Sequence, residues 1–223
     1  AGTVAATSFN GIPFYTNGTS MYTHNVSATD NSADNNTAYG FNAMDAITTG
    51  DQNTAIGKSA GTAITSGFDN VVMGSLAGDA LTSGYRNVAI GTSALSTEDG
   101  NGLNVAVGYY ALRNQNAGVD AYNVAVGASA GEAITTGVQN TVVGGEALST
   151  NVDGDHNTAI GYKALKSFEA NADGHGKNVA LGANALENST TGTENTALGT
   201  EAMGSGVTTG DNNVAIGYKA GED

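Results

Sequence analysis

The chain has 223 residues, and its 7 Lys and Arg against 21 Asp and Glu leave a net charge of −14, which repels nucleic-acid phosphates and anionic lipid surfaces and argues against both as partners. No apolar run of about eighteen residues is present for membrane insertion, and the opening AGTVAATSFN lacks the basic-then-apolar order of a secretory leader. Zero Cys excludes disulfides and thiolate metal sites, 33 Gly beside one Pro excludes collagen, and an apolar content of 39% in which Ala leads allows only a thin core.

Residues 1–35 do not repeat and concentrate Phe9, Ile12, Pro13, Phe14, Tyr15, Met21 and Tyr22. A stack of strands exposes an edge at its end, so this segment is expected to be a cap or a joint to a preceding unit. The start without Met is read as that of a processed product or a fragment.

From Asn36 onward the motif N-[TV]-[AV]-φ-G-x-x-A recurs, φ being a larger apolar residue. Its asparagines are Asn36, Asn53, Asn70, Asn87, Asn104, Asn123, Asn140, Asn157, Asn178, Asn195 and Asn213, and seven of the ten intervals are 17 residues. The other three are 19, 21 and 18, each lengthened just before the next Asn, as loops on one side of a solenoid would be. Seventeen residues are too few for a helical hairpin, and Val, Ile and Thr enrich the core pentapeptide. Residues 36–223 are therefore expected to form an all-β parallel solenoid, a β-roll of about 10–11 coils.

Within NVAIG the two-residue strand period puts the first and third residues after Asn on one face and the middle one on the other. The larger pair, such as Val88 with Ile90, is expected to point into the coil. The middle column then faces outward: Ala55, Val72, Ala89, Ala106, Ala125, Val142, Ala159, Ala180 and Ala197. A row so free of polar side chains is expected to pack against another chain, in a homotrimer.

The remaining columns have local reasons. Gly at the fourth place (Gly57, Gly91, Gly161) suits a positive φ or a close backbone approach. The Asn column can stack as a ladder of side-chain amides. Ala at the seventh place is followed either by Leu or Met, as at Leu95, or by Gly with an apolar residue three places on, as Gly61 with Ile64. One core slot is thus filled from two places. Turns such as TTGDQ and TSGFD close each coil. The end at Gly221, Glu222 and Asp223 falls partway through a coil, so more chain is expected to have followed it.

Signals of chemistry are weak. Gly57-Lys58-Ser59 lacks the first glycine of a phosphate loop, since Gln52 stands there. His24, His156 and His175 have no H-x-H or H-E-x-x-H spacing, and Asp153-Gly154-Asp155 occurs once, outside any calcium nonapeptide. No cofactor or metal is expected, and no catalytic set of Ser, His and Asp stands out. Thr pairs (Thr48 with Thr49, Thr135 with Thr136, Thr208 with Thr209) form a broken row, too irregular for an ice-binding face. Tyr85, Tyr109, Tyr110, Tyr162 and Tyr218 either stack on sugars or cover backbone at corners, and the second reading is preferred.

The repeat resembles the NTAIGxxAL…NTTGxN repeats of phage tail fibres and related bacterial surface proteins, with Asn178 to Glu194, NVALGANALENSTTGTE, close to that pattern throughout. The likeness covers residues 36–223. More distantly it is similar to the NSVAIG repeats of trimeric autotransporter adhesin heads, which are left-handed parallel β-rolls in homotrimers. The resemblance implies a trimeric shaft on a virion or at a cell surface that positions a receptor-binding tip. It also implies an intramolecular chaperone domain downstream, which this sequence does not contain. The adhesin's coiled-coil stalk and anchor strands are absent too, which favours the tail-fibre version. The alternative is an adhesin head that binds host cell-surface glycan directly, through the loops at Phe168 to Lys177 and Arg113 to Tyr122.

Overall fold

A computed structural model describes residues 7–9, 12–17, 20–23, 32–169, 176–206 and 209–222. Among these residues there is no helix. Two strands, β1 (Thr7–Phe9) and β2 (Ile12–Asn17), form an antiparallel pair, and β2 pairs antiparallel with β3 (Ser20–Tyr22). Eleven three-residue strands follow, one in each repeat: β4 (Thr37–Tyr39), β5 (Thr54–Ile56), β6 (Val71–Met73), β7 (Val88–Ile90), β8 (Val105–Val107), β9 (Val124–Val126), β10 (Thr141–Val143), β11 (Thr158–Ile160), β12 (Val179–Leu181), β13 (Thr196–Leu198) and β14 (Val214–Ile216). The 14 strands make one sheet in chain order, and every pair from β3 onward is parallel. Equivalent residues stand opposite one another, Ala89 against Ala106 and Ile90 against Val107, with no change of register across the longer repeats. The chain is a β-solenoid.

Backbone chemistry explains why so short a strand suffices. Each coil turns corners at residues held near φ +50° to +60°, as at Arg86, Ser93 and Leu95 in successive parts of one coil. These left-handed positions are costly for residues with a Cβ, so the hydrogen bonds between coils must hold them there. Those bonds extend beyond the strands: Gly91 N–H donates to Met73 O at 2.7 Å, Ser93 N–H to Ser75 O at 3.0 Å and Leu95 N–H to Ala111 O at 3.0 Å. The residue after the seventh-place Ala is itself left-handed, which explains its alternation: Gly61, Gly78 and Gly131 adopt φ +49° to +59° freely, while Leu95 and Leu148 do so under tertiary constraint.

The interior is narrow. Each coil contributes its middle strand residue, its seventh-place Ala and one or two larger side chains, such as Ala55, Ala60 and Ile64 or Ala159, Ala164, Leu165 and Phe168, all fully buried. This reverses the expected facing of the strand. Ala55, Val72, Ala89, Ala106, Ala125, Val142, Ala159, Ala180 and Ala197 are completely buried within a single chain, so this column lines the core and is not a contact face for a second chain. The larger neighbours point outward and are half-buried or exposed. Width is the physical reason: the space behind the strand is already filled by the seventh-place Ala and the large side chains that follow it, so the strand turns its smallest residue inward.

The stack also starts earlier than the first Asn. Met21 N–H donates to Asn36 O at 2.7 Å, and Tyr22 stands opposite Ala38 in register. Tyr22 is fully buried, so an aromatic ring occupies the alanine column at the end of the core. Of the apolar cluster expected to cap the rod, the side chains of Phe9, Ile12, Pro13 and Phe14 lie outside the described residues.

Candidate functional site

The Asn column is the most regular polar feature. In successive coils the side-chain oxygen of one Asn accepts the backbone N–H of the next: Asn53 N–H to Asn36 Oδ1 at 2.8 Å, Asn140 N–H to Asn123 Oδ1 at 2.8 Å, Asn195 N–H to Asn178 Oδ1 at 2.9 Å. The side-chain nitrogen donates to a turn glycine, as Asn70 Nδ2 to Gly84 O at 2.7 Å. In several coils it also reaches the preceding oxygen, as Asn157 Nδ2 to Asn140 Oδ1 at 3.1 Å. Asn36 itself donates its N–H to Ser20 Oγ at 3.0 Å, so Ser20 is the first rung. Sequence reasoning missed it because Ser replaces Asn there; the signal was the Ser-Met-Tyr run set before Asn-Thr-Ala.

The turn threonines hold coils together in the same way. Thr48 Oγ1 donates to Thr65 O at 2.9 Å, Thr65 Oγ1 to Thr82 O at 3.0 Å and Thr82 Oγ1 to Asp99 O at 2.8 Å. Thr208 lies outside the described residues.

Outside the coil, the sheet presents two columns of Thr, Val, Ile, Leu and Met, with Tyr39 in the first repeat, and no charged side chain. Val126, Leu181 and Leu198 are 38%, 41% and 41% exposed, and Val88, Ile90, Val105 and Ile160 are half-buried. Charge is confined to the corners. There Lys166 pairs with Glu146 at 2.6 Å, Lys219 with Glu201 at 3.1 Å, and Arg113 with Glu132 at 3.6 Å. The Lys166 hydrogen bond holds the Glu146 carboxyl below its ordinary range, and the Glu201 hydrogen bond raises Lys219.

The aromatic corners cover backbone or stack with one another. Tyr85 stacks on Phe68 with centroids 5.2 Å apart, and a Cβ placed on Gly102 would meet the Tyr85 ring at 2.9 Å. Its hydroxyl donates to Asp120 at 2.6 Å, which pushes the phenol above its ordinary value. Tyr109 stacks on Tyr110 at 3.7 Å, with Arg113 over the Tyr110 ring at 4.3 Å.

The Asp153-Gly154-Asp155 run serves the turn of the neighbouring coil: Asp153 Oδ1 accepts from Thr136 Oγ1 at 2.6 Å, and Asp155 Oδ1 from Val138 N–H at 2.7 Å. No group of three His, Asp or Glu suited to a metal occurs among the described residues. His24, His175 and Asp173 lie outside them. His156 sits at a left-handed corner, as does Ser59 of the Gly57-Lys58-Ser59 run.

Comparison with protein-family models, with curated proteins and with solved structures gave no match. The outer face of the sheet is thus the candidate functional surface on its geometry alone.

Proposed function

We propose that the chain is the structural shaft of a homotrimeric fibre, on a virion tail or at a cell surface, that carries a receptor-binding tip away from its base. The observation that supports this reading is the uncharged strip of aliphatic and threonine side chains on the outside of β4 to β14. Eleven strands at about 4.8 Å spacing make a strip roughly 50 Å long, and three residues per strand make it about 10 Å wide. As a footprint, its threonines included, that is roughly 500 Å², within the range of the largest and often functional apolar patch on a monomeric protein. Three such strips turned toward one axis cover one another, whereas a solitary rod leaves them in water. In-register stacking makes the strip continuous from coil to coil, as a lengthwise contact between identical chains requires.

Sedimentation equilibrium tests the assembly. The reading predicts a mass three times 22.1 kDa for the unmodified chain. Paired outward substitutions, Val88→Glu with Ile90→Glu, are expected to give a monomer with unchanged β-sheet circular dichroism. A monomeric parent chain would refute the trimer. Glycan-array binding by the isolated rod would move the function from a shaft to an adhesin.

A further inference from the structure

One interior position, eleven residues after the ladder Asn, breaks the apolar pattern of the core. Ile64, Leu81 and Ile134 fill it with hydrocarbon, but Glu98 and Gln115 occupy it in two successive coils, both fully buried. Lack of space does not force this choice. Leu165 and Phe168 are buried together in one coil, so a large apolar residue fits here even beside the leucine that Glu98 and Gln115 have as Leu95 and Leu112.

Other polar occupants are satisfied locally. Asn151 closes its own turn, accepting from Gly154 N–H and donating to Gly154 O, both at 3.0 Å. Glu98 and Gln115 are each satisfied at one atom only. Glu98 Oε1 accepts from Asn101 N–H at 3.0 Å and Asn101 Nδ2 at 3.4 Å, and Gln115 Oε1 accepts from Asn123 Nδ2 at 2.7 Å. That leaves Glu98 Oε2 and Gln115 Nε2, both buried and both without a partner. One is an acceptor and the other a donor. Their coils are bonded to each other through Leu95 N–H to Ala111 O at 3.0 Å. Side chains on successive coils bond directly where they meet, as Asn157 Nδ2 to Asn140 Oδ1 at 3.1 Å, whereas Glu98 Oε2 and Gln115 Nε2 make no such bond, and each needs a further partner.

We infer that Glu98 and Gln115 form an interior site for a single water molecule, held between two coils, through which the core of the rod takes up and releases a proton. The water accepts from Gln115 Nε2. It donates to Glu98 Oε2 when the carboxyl is ionised and accepts from it when the carboxyl is protonated, so the site serves both states. Burial is the main influence on Glu98 and raises its carboxyl above the ordinary glutamate value; hydrogen bonds from Asn101 and from the Gly100 backbone oppose this, and Asp99 adds to it. The surroundings supply no compensating cation. The preceding coil presents Leu81 at this position, and the following coil presents Gln115, with Asp120 nearby on Gly102 N–H at 3.2 Å. Arg86 and Arg113 are engaged at the corners by Asp69 and Glu132.

The full chain tests this in two ways. A crystal structure at a resolution that places solvent is expected to show one water between Glu98 Oε2 and Gln115 Nε2; a direct bond between the two side chains would overturn the water site. Hydrogen exchange of residues 96–103 and 113–123, compared between the parent and Glu98→Gln at equal pH, tests the proton. The variant and parent are expected to exchange alike at about pH 4, below the free glutamate value, and the parent about tenfold faster or more at about pH 8. A ratio independent of pH would overturn the proton linkage. Paired Glu98→Ile and Gln115→Ile, which restore the hydrocarbon of neighbouring coils, are expected to lose both the water and the pH response; a response that persisted would place the titrating group elsewhere.

Discussion

Gly91 has φ +131°, and a Cβ placed on it would lie 2.4 Å from Gly108 O in the next coil. Since the obstacle is backbone, Gly91→Ala is expected to lower stability by about 2 kcal/mol or more, measured by denaturant unfolding. Asn140 is constrained by partners instead. Its oxygen receives Asn157 N–H at 2.9 Å, and its nitrogen reaches Gly154 O at 2.9 Å. Asn140→Ala leaves a buried N–H unsatisfied and is expected to cost about 1–3 kcal/mol, with faster amide exchange at residue 157 as the local readout. Both columns were legible in the sequence because from Asn36 onward each repeats one residue type in every coil. The facing of the strand was not, because both of its faces are apolar; what decides it is the width of the coil, which depends on left-handed corners such as Arg86 and Leu95 that sequence pattern does not announce.

At the scale of the element, the eleven coils are alike enough that their ends carry the exceptions. Tyr22 lies in the alanine column opposite Ala38 and is fully buried. Its ring closes the hydrocarbon interior where the repeats begin, and removing it opens a cavity beside Ala38. Tyr22→Ala is therefore expected to destabilise the first coils by about 3–5 kcal/mol, seen as lost exchange protection in residues 36–50 while coils beyond Asn140 keep theirs. Protection lost evenly along the rod would contradict a local plug. The expectation of a cap or joint over residues 1–35 did not single out these two residues, since Ser20 and Tyr22 carry out the roles of Asn and Ala with side chains of another kind. The parallel stacking in chain order, by contrast, followed directly from the period of 17.

For the whole molecule, charge and hydrophobic contact oppose each other. In the proposed trimer three chains each carrying −14 would repel, and the corner carboxylates stand around a strip that has no charge of its own. Raising the salt from about 0.01 M to about 0.15 M shortens the screening length from roughly 30 Å to 8 Å, so trimer dissociation is expected to fall with added salt, as followed by sedimentation. Acid acts on the interior with a definite sign. The folded-state Glu98 carboxyl lies above its unfolded value, so its contribution to stability is complete below the unfolded glutamate range and is lost as pH rises through the folded value. Glu146 acts oppositely: held low by Lys166, its contribution is present above the unfolded range and lost as pH falls through the folded value.

The central claim is that alanines fill the coil while the larger strand residues face outward and meet other chains. The chain contains no Cys, so single thiols report on each face without interference. Val72 and Val142 share the column of Ala89 and show that it tolerates a somewhat larger side chain, so Ala89→Cys is compatible with the fold. Thiol labelling of Ala89→Cys and Ile90→Cys, each across a dilution series under native conditions, measures both faces at once. The account predicts that position 89 stays unlabelled at every concentration, while position 90 is protected when concentrated and labels freely on dilution. Labelling of position 89 in the dilute folded chain, with position 90 protected throughout, would contradict it.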